Sequence, residues 1–228
     1  MTTFESQALA LSLRVAAASL LGVVPVALGL ALLLARGRFP GKWLLEAVVN
    51  LPLVLPPVVT GLVLLLVFGV QGPVGGWLRE TFGVTLAFHW TGAALAAGVM
   101  ALPLVVRPLR VSLEAVDHGL EQAAATLGAP PLHVFFRVTL PLAIPGLVAG
   151  VLLGFARAFG EFGATVTFAG SIPGETQTLP VAIYTALQRA NGETPAIRLA
   201  VLSILVSIGA LFIAEWINRR SARTRRPR

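Results

Sequence analysis

Long apolar stretches alternate with short polar ones along this chain. Five stretches approach the roughly 20 residues that a helix needs to cross a hydrocarbon core of ~30 Å. They cover approximately residues 13–35, 48–70, 88–107, 140–160 and 197–217. Residues 51–70 and 138–156 contain no charged side chain at all. The pattern predicts an all-α integral membrane protein with five transmembrane helices, in which the whole chain, 1–228, forms one membrane domain.

The composition agrees with a membrane location. Of the 228 residues, 56% are hydrophobic and only 12% are charged, and the mean hydropathy is +0.85. Helices that are apolar on all sides are buried either in the core of a large protein or in a membrane. A chain of this length lacks the polar surface to cover five such helices, so the composition excludes an ordinary soluble domain.

The second apolar stretch has three prolines in its first third, at Pro52, Pro56 and Pro57. Proline lacks an amide donor and clashes with the preceding turn, so we expect this helix to be kinked or partly unwound. Irregular backbone at membrane depth is tolerated where it is packed in protein or lines a wet cavity. Pro56 and Pro57 are therefore candidates for lining a transport path, with a simple packing kink as the alternative.

Residues for several kinds of chemistry are missing from the sequence. The chain has no cysteine, which excludes disulfides and thiolate metal sites, and its three histidines are not at metal-ligand spacing. The single lysine, Lys42, is followed by Trp43, so there is no phosphate-binding loop of the Walker A type. The spans also lack the paired carboxylates or His–Ser pair of an intramembrane protease or lipid transferase. We expect no catalytic residue, no metal site and no cofactor in this chain.

The net charge of +7 is distributed as membrane topology requires. Basic residues near the ends of spans collect on the cytoplasmic side. With five spans and an outer N-terminus, the inner segments hold six basic residues and the tail 218–228 holds six more, which leaves five elsewhere. We therefore expect a multi-pass protein of the cytoplasmic membrane. Its basic C-terminal tail should lie in the cytoplasm beside anionic membrane lipid, and nucleic acid is not expected as a partner.

A more polar segment, residues 112–139, separates the third and fourth apolar stretches. Within it, Asp117 suits the N-cap of a short helix and Gly128 suits the position just after its end. The prolines at 130 and 131 prevent the helix from continuing. One face of this helix is apolar and is formed by Leu120, Ala123, Ala124 and Leu127.

Small alanines flanked by leucines allow a helix to settle into a groove of another protein. An amphipathic helix on the membrane surface is the alternative, but such helices usually carry Lys and Arg on their polar face. This helix instead carries Asp117 and Glu121, and Glu114 precedes it. The charge pattern therefore favours docking to a protein.

Residues 121–141 resemble the EAA signature of permease subunits of ABC importers. The signature consists of Ala-Ala, three residues, Gly, nine residues, an aliphatic residue, one residue and Leu-Pro. Here these positions are Ala123, Ala124, Gly128, Val138, Leu140 and Pro141. The glutamate of the signature, six residues before the glycine, is replaced by Gln122, with Glu121 adjacent.

The resemblance implies the type I ABC importer permease fold, with a cytoplasmic coupling helix within 112–139. It also implies that ATP and Mg are bound by a separate ATPase subunit, so that this chain is a transport subunit and not an enzyme. The residues expected to couple to that ATPase are Leu120, Glu121, Gln122, Ala123, Ala124, Leu127, Gly128, Leu140 and Pro141.

The fourth stretch ends in two ionisable residues, Arg157 and Glu161, spaced four apart. Ionisable groups at such depth usually pair with one another or face a cavity. We expect a mutual salt bridge; alternatively, the pair lines an outer gate where Thr165 and Thr167 donate hydroxyl groups to an anion. Earlier in the same stretch, glycines at 146, 150 and 154 form a face for close helix contact, either between subunits or within one.

Residues 160–165, and 172–180 followed by Ile183 and Tyr184, resemble the molybdate/tungstate branch of these permeases. This resemblance implies a path for a tetrahedral oxyanion, a homodimer of this subunit, two ATPase subunits and an extracytoplasmic oxyanion-binding protein. Sulfate/thiosulfate permeases resemble the first of these motifs but diverge over the second, and they are the alternative. A passive anion channel is a further alternative, but it needs no docking helix.

Overall fold

The computed structural model describes residues 2–223, and the side chains of residues 2–212. This part of the chain forms eleven α-helices and one π-helical segment, and it contains no strand. The helices are α1 (Thr3–Arg36), α2 (Lys42–Val54), α3 (Pro57–Phe68), α4 (Pro73–Phe82), α5 (Trp90–Glu114), α6 (His118–Thr126), α7 (Pro131–Val134), the π-helical segment (Phe135–Thr139), α8 (Leu140–Phe159), α9 (Gly163–Ala169), α10 (Leu179–Leu187) and α11 (Glu193–Arg223). The predicted all-α fold class is confirmed.

Four helical stretches of the described chain are long and apolar enough to cross a membrane. They are Thr3–Arg36, Trp90–Glu114, Pro131–Phe159 and Glu193–Phe212. The pair formed by α2 and α3 raises the number to five if it is counted as one broken span. All five overlap the stretches expected from the hydropathy pattern.

The second predicted span, 48–70, is not a single straight helix. The axes of α2 and α3 differ in direction by 115°. Leu55 and Pro56 between them have extended backbone, and Pro57 begins α3 where its missing amide costs no helical bond. With 13 and 12 residues, each helix is only about 18–20 Å long, too short to cross the core alone. The prolines predicted the position of the break, but the angle of 115° is larger than the bend expected of a proline kink.

Helix α5 is the centre of the packing, between α1 on one side and α8 on the other. Small buried residues of α5, such as Ala93, Ala97 and Ala101, belong to the same core cluster as Ala8 and Ala16 of α1. On α8, the three glycines are buried against α5 of the same chain. A Cβ added at Gly150 would lie 2.8 Å from the carbonyl oxygen of Val105. The glycine face is therefore a contact within one subunit.

The two ends of the helical bundle are identified by contacts between helix termini. At one end, Arg198 near the start of α11 approaches Glu5 near the start of α1, with 3.9 Å between Nη1 and Oε1. At the other end, Arg36 in the last turn of α1 contacts α6. Helix α11 thus starts beside the N-terminal end of α1. The basic tail predicted over 218–228 begins within the backbone of α11, and its residues 224–228 lie outside the described part of the chain.

Candidate coupling segment and translocation path

Helix α6 begins and ends at the residues expected from the sequence. Oδ1 of Asp117 accepts a hydrogen bond from the amide of Gly119 at 2.7 Å. Gly128 has a φ of +82°, and its amide donates to the carbonyl of Ala125 while that of Ala129 donates to the carbonyl of Ala124. These are the two bonds of a Schellman motif, which requires the left-handed conformation that glycine adopts most readily.

The apolar face of α6 is open. No residue of this helix is buried, and the side chains of Leu120 and Leu127 are 51% and 89% exposed. The elements that follow add two exposed apolar side chains, Leu132 and Phe136. Exposed apolar side chains grouped in this way mark a surface that contacts another protein or the membrane. The structure thus leaves the predicted docking face uncovered.

The two adjacent polar residues of the signature segment point in different directions. Gln122 is exposed. Glu121 is turned toward its own chain: its Oε1 lies 2.9 Å from Nη2 of Arg36 and accepts a hydrogen bond from the hydroxyl of Thr139 at 2.6 Å. The Glu121 side chain is 21% exposed, so this carboxylate connects α6 to α1 and to the π-helical segment.

Arg36 and Thr139 were not among the residues expected from the sequence. They lie 85 positions before and 18 positions after Glu121. A basic residue in the last turn of a helix is ordinary, because it complements the helix dipole. No local pattern therefore distinguishes Arg36 from other basic residues at the ends of spans, and only the packing of α1 beside α6 pairs it with Glu121.

The coupling segment continues directly into a membrane-spanning helix. Residues Pro131–Phe159 form one helical stretch that includes α7, the π-helical segment and α8. Leu140 and Pro141 lie where the π-helical segment passes into α8. A wider π turn at this point accommodates the ring of Pro141, which would clash with the preceding turn of a regular α-helix. Only the short turn of residues 127–130 separates α6 from this stretch, so a displacement of α6 can be transmitted to α8.

The predicted ion pair is present at the far end of α8. A guanidinium nitrogen of Arg157 contacts Oε2 of Glu161, and Oε1 of the same carboxylate accepts a hydrogen bond from the amide of Ala164 at 2.7 Å. The Glu161 side chain is only 1% exposed, whereas that of Arg157 is 25% exposed. The carboxylate is thus fixed inside the turn between α8 and α9, and the arginine is the member of the pair that solvent can reach.

The break in the second span lies against this turn. A Cβ added at Gly163 would come within 2.8 Å of the Cβ of Pro57, and one added at Gly61 would come within 2.7 Å of the carbonyl oxygen of Ala164. Because only glycine leaves room for these approaches, α3 and α9 pack with their backbones nearly touching. The structure therefore brings the Pro56–Pro57 break close to the Arg157–Glu161 pair.

The two threonines of α9 are less available than the sequence suggested. Thr165 is 1% exposed. The hydroxyl of Thr167 donates to the carbonyl of Gly163 at 2.8 Å, within its own helix. In this conformation Thr165 is buried and the hydroxyl of Thr167 is already bonded, and their predicted contact with an anion remains a prediction.

Curated relatives match nearly the whole chain. The molybdenum transport system permease protein ModB of Escherichia coli (strain K12) is 52% identical over 221 residues, which are 97% of this chain and 96% of that protein. ModB of Haemophilus influenzae (strain ATCC 51907 / DSM 11121 / KW20 / Rd) is 50% identical over 216 residues, 95% of this chain and 94% of that protein. The sulfate transport system permease protein CysT of Escherichia coli (strain K12) is 40% identical over 187 residues, covering 80% and 67% respectively.

Solved structures of ABC transporters share the fold. A bacterial transporter that imports the acidic polysaccharide alginate superposes with a TM-score of 0.73 at 16% identity, covering 99% of this chain and 82% of that one. An inward-facing MetNI methionine transporter gives a TM-score of 0.67 at 19% identity, covering 95% of this chain and 93% of that one. The family model described as "Binding-protein-dependent transport system inner membrane component" matches residues 25–223. The chain therefore belongs to this family: it is an ABC importer permease of the inner membrane, a transport subunit that leaves ATP hydrolysis to a separate ATPase and works with an extracytoplasmic binding protein.

Proposed function

We propose that this permease forms the translocation path of an ATP-driven importer of molybdate, with tungstate as a second substrate. The observation that carries the proposal is the 52% identity over 97% of the chain to a molybdenum transport permease. The sulfate permease is less similar, at 40% identity, and the match covers only 67% of that protein. All three anions are tetrahedral dianions, so the binding protein supplies much of the discrimination between them.

Uptake into vesicles tests this proposal. The permease, its ATPase and its binding protein are reconstituted, and ATP-dependent uptake of molybdate is measured in competition with tungstate and sulfate. Molybdate should be transported and tungstate should compete, whereas equimolar sulfate should have little effect. Preferred transport of sulfate would establish the alternative substrate, and molybdate flux without ATP would indicate a passive channel.

Coupling to ATP hydrolysis is proposed to run through the open face of α6. Its apolar side chains Leu120 and Leu127 would fill a groove of the ATPase, with Ala123 and Ala124 allowing close approach. The ATPase would bind ATP and Mg, and this chain would bind neither. The continuous helical stretch from Pro131 to Phe159 supports transmission of the movement into the membrane.

A homodimer is proposed because the bent pair α2–α3 is poorly covered by its own chain. Val49 is the only buried residue of α2, and three residues of α3 are buried. The break at Leu55–Pro56 leaves backbone groups without helical partners at membrane depth, which requires protein or water around them rather than lipid. A second copy placed against α2–α3 would supply that cover and close a path between the subunits. Two permease subunits would then bind two ATPase subunits.

The proposed orientation has the N-terminus outside and the C-terminus in the cytoplasm. The start of α11 lies beside the start of α1, and α6 lies at the opposite end. If α6 docks to a cytoplasmic ATPase, the end of α11 must also be cytoplasmic. Single cysteines at position 2 and in the tail of this cysteine-free chain provide the test, since a tail cysteine labelled from outside intact cells would contradict the orientation.

The outer part of the path is proposed to lie where the break at Pro56 and Pro57 meets the Arg157–Glu161 pair. In this arrangement Arg157 presents its partly exposed guanidinium to the anion, and the buried carboxylate of Glu161 holds that guanidinium in place. Thr165 and Thr167 of α9 would be the remaining residues of the path, and they would reach the anion only after a rotation of that helix.

A further inference from the structure

Two arginines on α5 lie one turn apart and have different partners. Arg110 is neutralised: its Nη1 lies 2.5 Å from Oε1 of Glu46, and its Nε lies 2.7 Å from Oε1 of Glu114. Arg107 is exposed, and no carboxylate lies within ion-pair distance of it among the side chains of residues 2–212. The same helix end thus carries one compensated cation and one uncompensated cation.

Arg107 is nevertheless held in place. Its Nε donates a hydrogen bond to Oδ1 of Asn50 at 2.7 Å. The amide of Asn50 is oriented in turn, because its Nδ2 donates to the carbonyl of Glu46 at 2.7 Å. This chain of two bonds engages one edge of the guanidinium. Its two terminal nitrogens have no partner among the described residues.

The guanidinium contacts α2 on the α6 side of the break in the second span. Asn50 precedes Leu55 by five residues, which corresponds to roughly 8 Å along α2. The face of α2 that follows is open, with Leu51 47% and Val54 81% exposed. Since α5 and α8 run in opposite directions, Arg107 lies toward the α6 end of the bundle, whereas Arg157 lies toward the other end.

We propose that Arg107 binds the transported oxyanion at the cytoplasmic end of the path, and that Asn50 orients it. This inference rests on the proposed function as an oxyanion importer. A guanidinium with two free terminal nitrogens matches two oxygens of a tetrahedral dianion. One uncompensated arginine per subunit also suits a path, where an ion must bind well enough to enter and weakly enough to leave.

Two other roles for Arg107 make different predictions. An arginine that anchors the protein to lipid headgroups extends its side chain toward the interface, whereas Arg107 is drawn sideways to α2. A purely structural link between α5 and α2 would depend on the bond to Asn50 and not on the terminal nitrogens. The Arg110–Glu46 ion pair already joins the same two helices.

The experiment uses the reconstituted complex of permease, ATPase and binding protein, with molybdate as the probe. The variants are Arg107→Gln, Arg107→Lys and Asn50→Ala. The matched control is Arg38→Gln, which removes one exposed cation from the loop between α1 and α2. For each variant, molybdate uptake, ATPase activity stimulated by the binding protein, and Tm are measured.

We expect Arg107→Gln to lower uptake about tenfold, the effect of one lost charge-assisted contact, with stimulated ATPase activity and Tm near those of the wild type. Arg107→Lys should recover part of the uptake, and Asn50→Ala should cost less than Arg107→Gln. Arg38→Gln should be close to the wild type.

Three results would overturn the assignment. Wild-type uptake by Arg107→Gln would show that the residue does not contact the anion. A Tm lowered to the same extent by Asn50→Ala and Arg107→Gln would indicate a structural link. The wild-type permease could also lose uptake in purely zwitterionic vesicles. If that loss equals the loss caused by Arg107→Gln, Arg107 binds lipid headgroups. Failure of the proposed function is a separate observation, because the wild-type complex itself would then not accumulate molybdate.

Discussion

Glu121 and Glu161 lie before and after the helical stretch Pro131–Phe159, and their surroundings differ. Glu161 is 1% exposed and pairs with Arg157 and a backbone amide of its own turn. Glu121 is 21% exposed and pairs with Arg36 and Thr139 from other elements. The carboxylate of Glu161 closes a local turn. That of Glu121 joins α6 to α1 and to the π-helical segment, while the apolar face of α6 stays open. A carboxylate near the end of a membrane helix can therefore fix a local turn or join distant elements, and its partners distinguish the two cases.

Glu161→Gln should produce the largest change in stability. The glutamine retains the shape and can still accept from the amide of Ala164, but Arg157 loses its counter-charge. Leaving a fully buried charge unpaired costs about 3–5 kcal/mol, and because Arg157 is 25% exposed we expect about 2 kcal/mol and a clear fall in the Tm of the purified permease. Arg157→Gln/Glu161→Gln should recover most of the loss. If the double variant is as unstable as the single one, the unpaired charge is not the cause; if it regains both Tm and normal uptake, Arg157 does not line the path.

Leu127→Glu should abolish most transport without affecting stability. Leu127 is 89% exposed in this chain, so the substitution leaves the fold intact and places a charge in the apolar contact with the ATPase that we propose. Loss of about 1.4 kcal/mol or more in that contact corresponds to at least a tenfold fall in complex formation. Co-purification of the ATPase measures it. Leu187→Glu, at a side chain 60% exposed at the end of α10, is the control and should leave ATPase binding unchanged.

Gly128→Ala should loosen α6 by a smaller amount. A residue with a Cβ is strained by about 1 kcal/mol in the left-handed conformation, which corresponds to roughly fivefold faster amide hydrogen exchange in α6. Gly29→Ala is the matched control, because a Cβ there meets no atom within 4 Å and the residue lies within α1. Equal exchange rates in wild-type and Gly128→Ala permease would contradict the role of this cap.

Glu121→Gln should have the smallest effect of the four. A partly exposed ion pair contributes about 0.5 kcal/mol, so exchange in α6 should rise only about twofold and uptake per ATP hydrolysed should fall slightly. Gln122→Ala, one residue along on the outer side of the helix, should leave α6 exchange unchanged. If Gln122→Ala speeds amide exchange in α6 as much as Glu121→Gln does, the assignment of Glu121 as the residue that holds α6 to its own chain would be wrong.

The sequence determined the local features of this protein. Asp117 and Gly128 specify the ends of α6 because a side-chain cap and a left-handed glycine act on their own helix. The apolar stretches specify the membrane helices because the thickness of the bilayer sets their length. The i,i+4 spacing of Arg157 and Glu161 specifies their pairing for the same local reason.

Only the tertiary structure decided the contacts between distant segments. The 115° angle between α2 and α3 depends on the packing of α3 against α9, which Gly61 and Gly163 permit. Arg36 meets Glu121, and Arg107 meets Asn50, across 85 and 57 residues of sequence. These pairs carry no local signal, since an exposed arginine near the end of a helix is common. Which of these arginines finds a carboxylate, and which does not, depends on how the helices pack and not on the order of residues within any one helix.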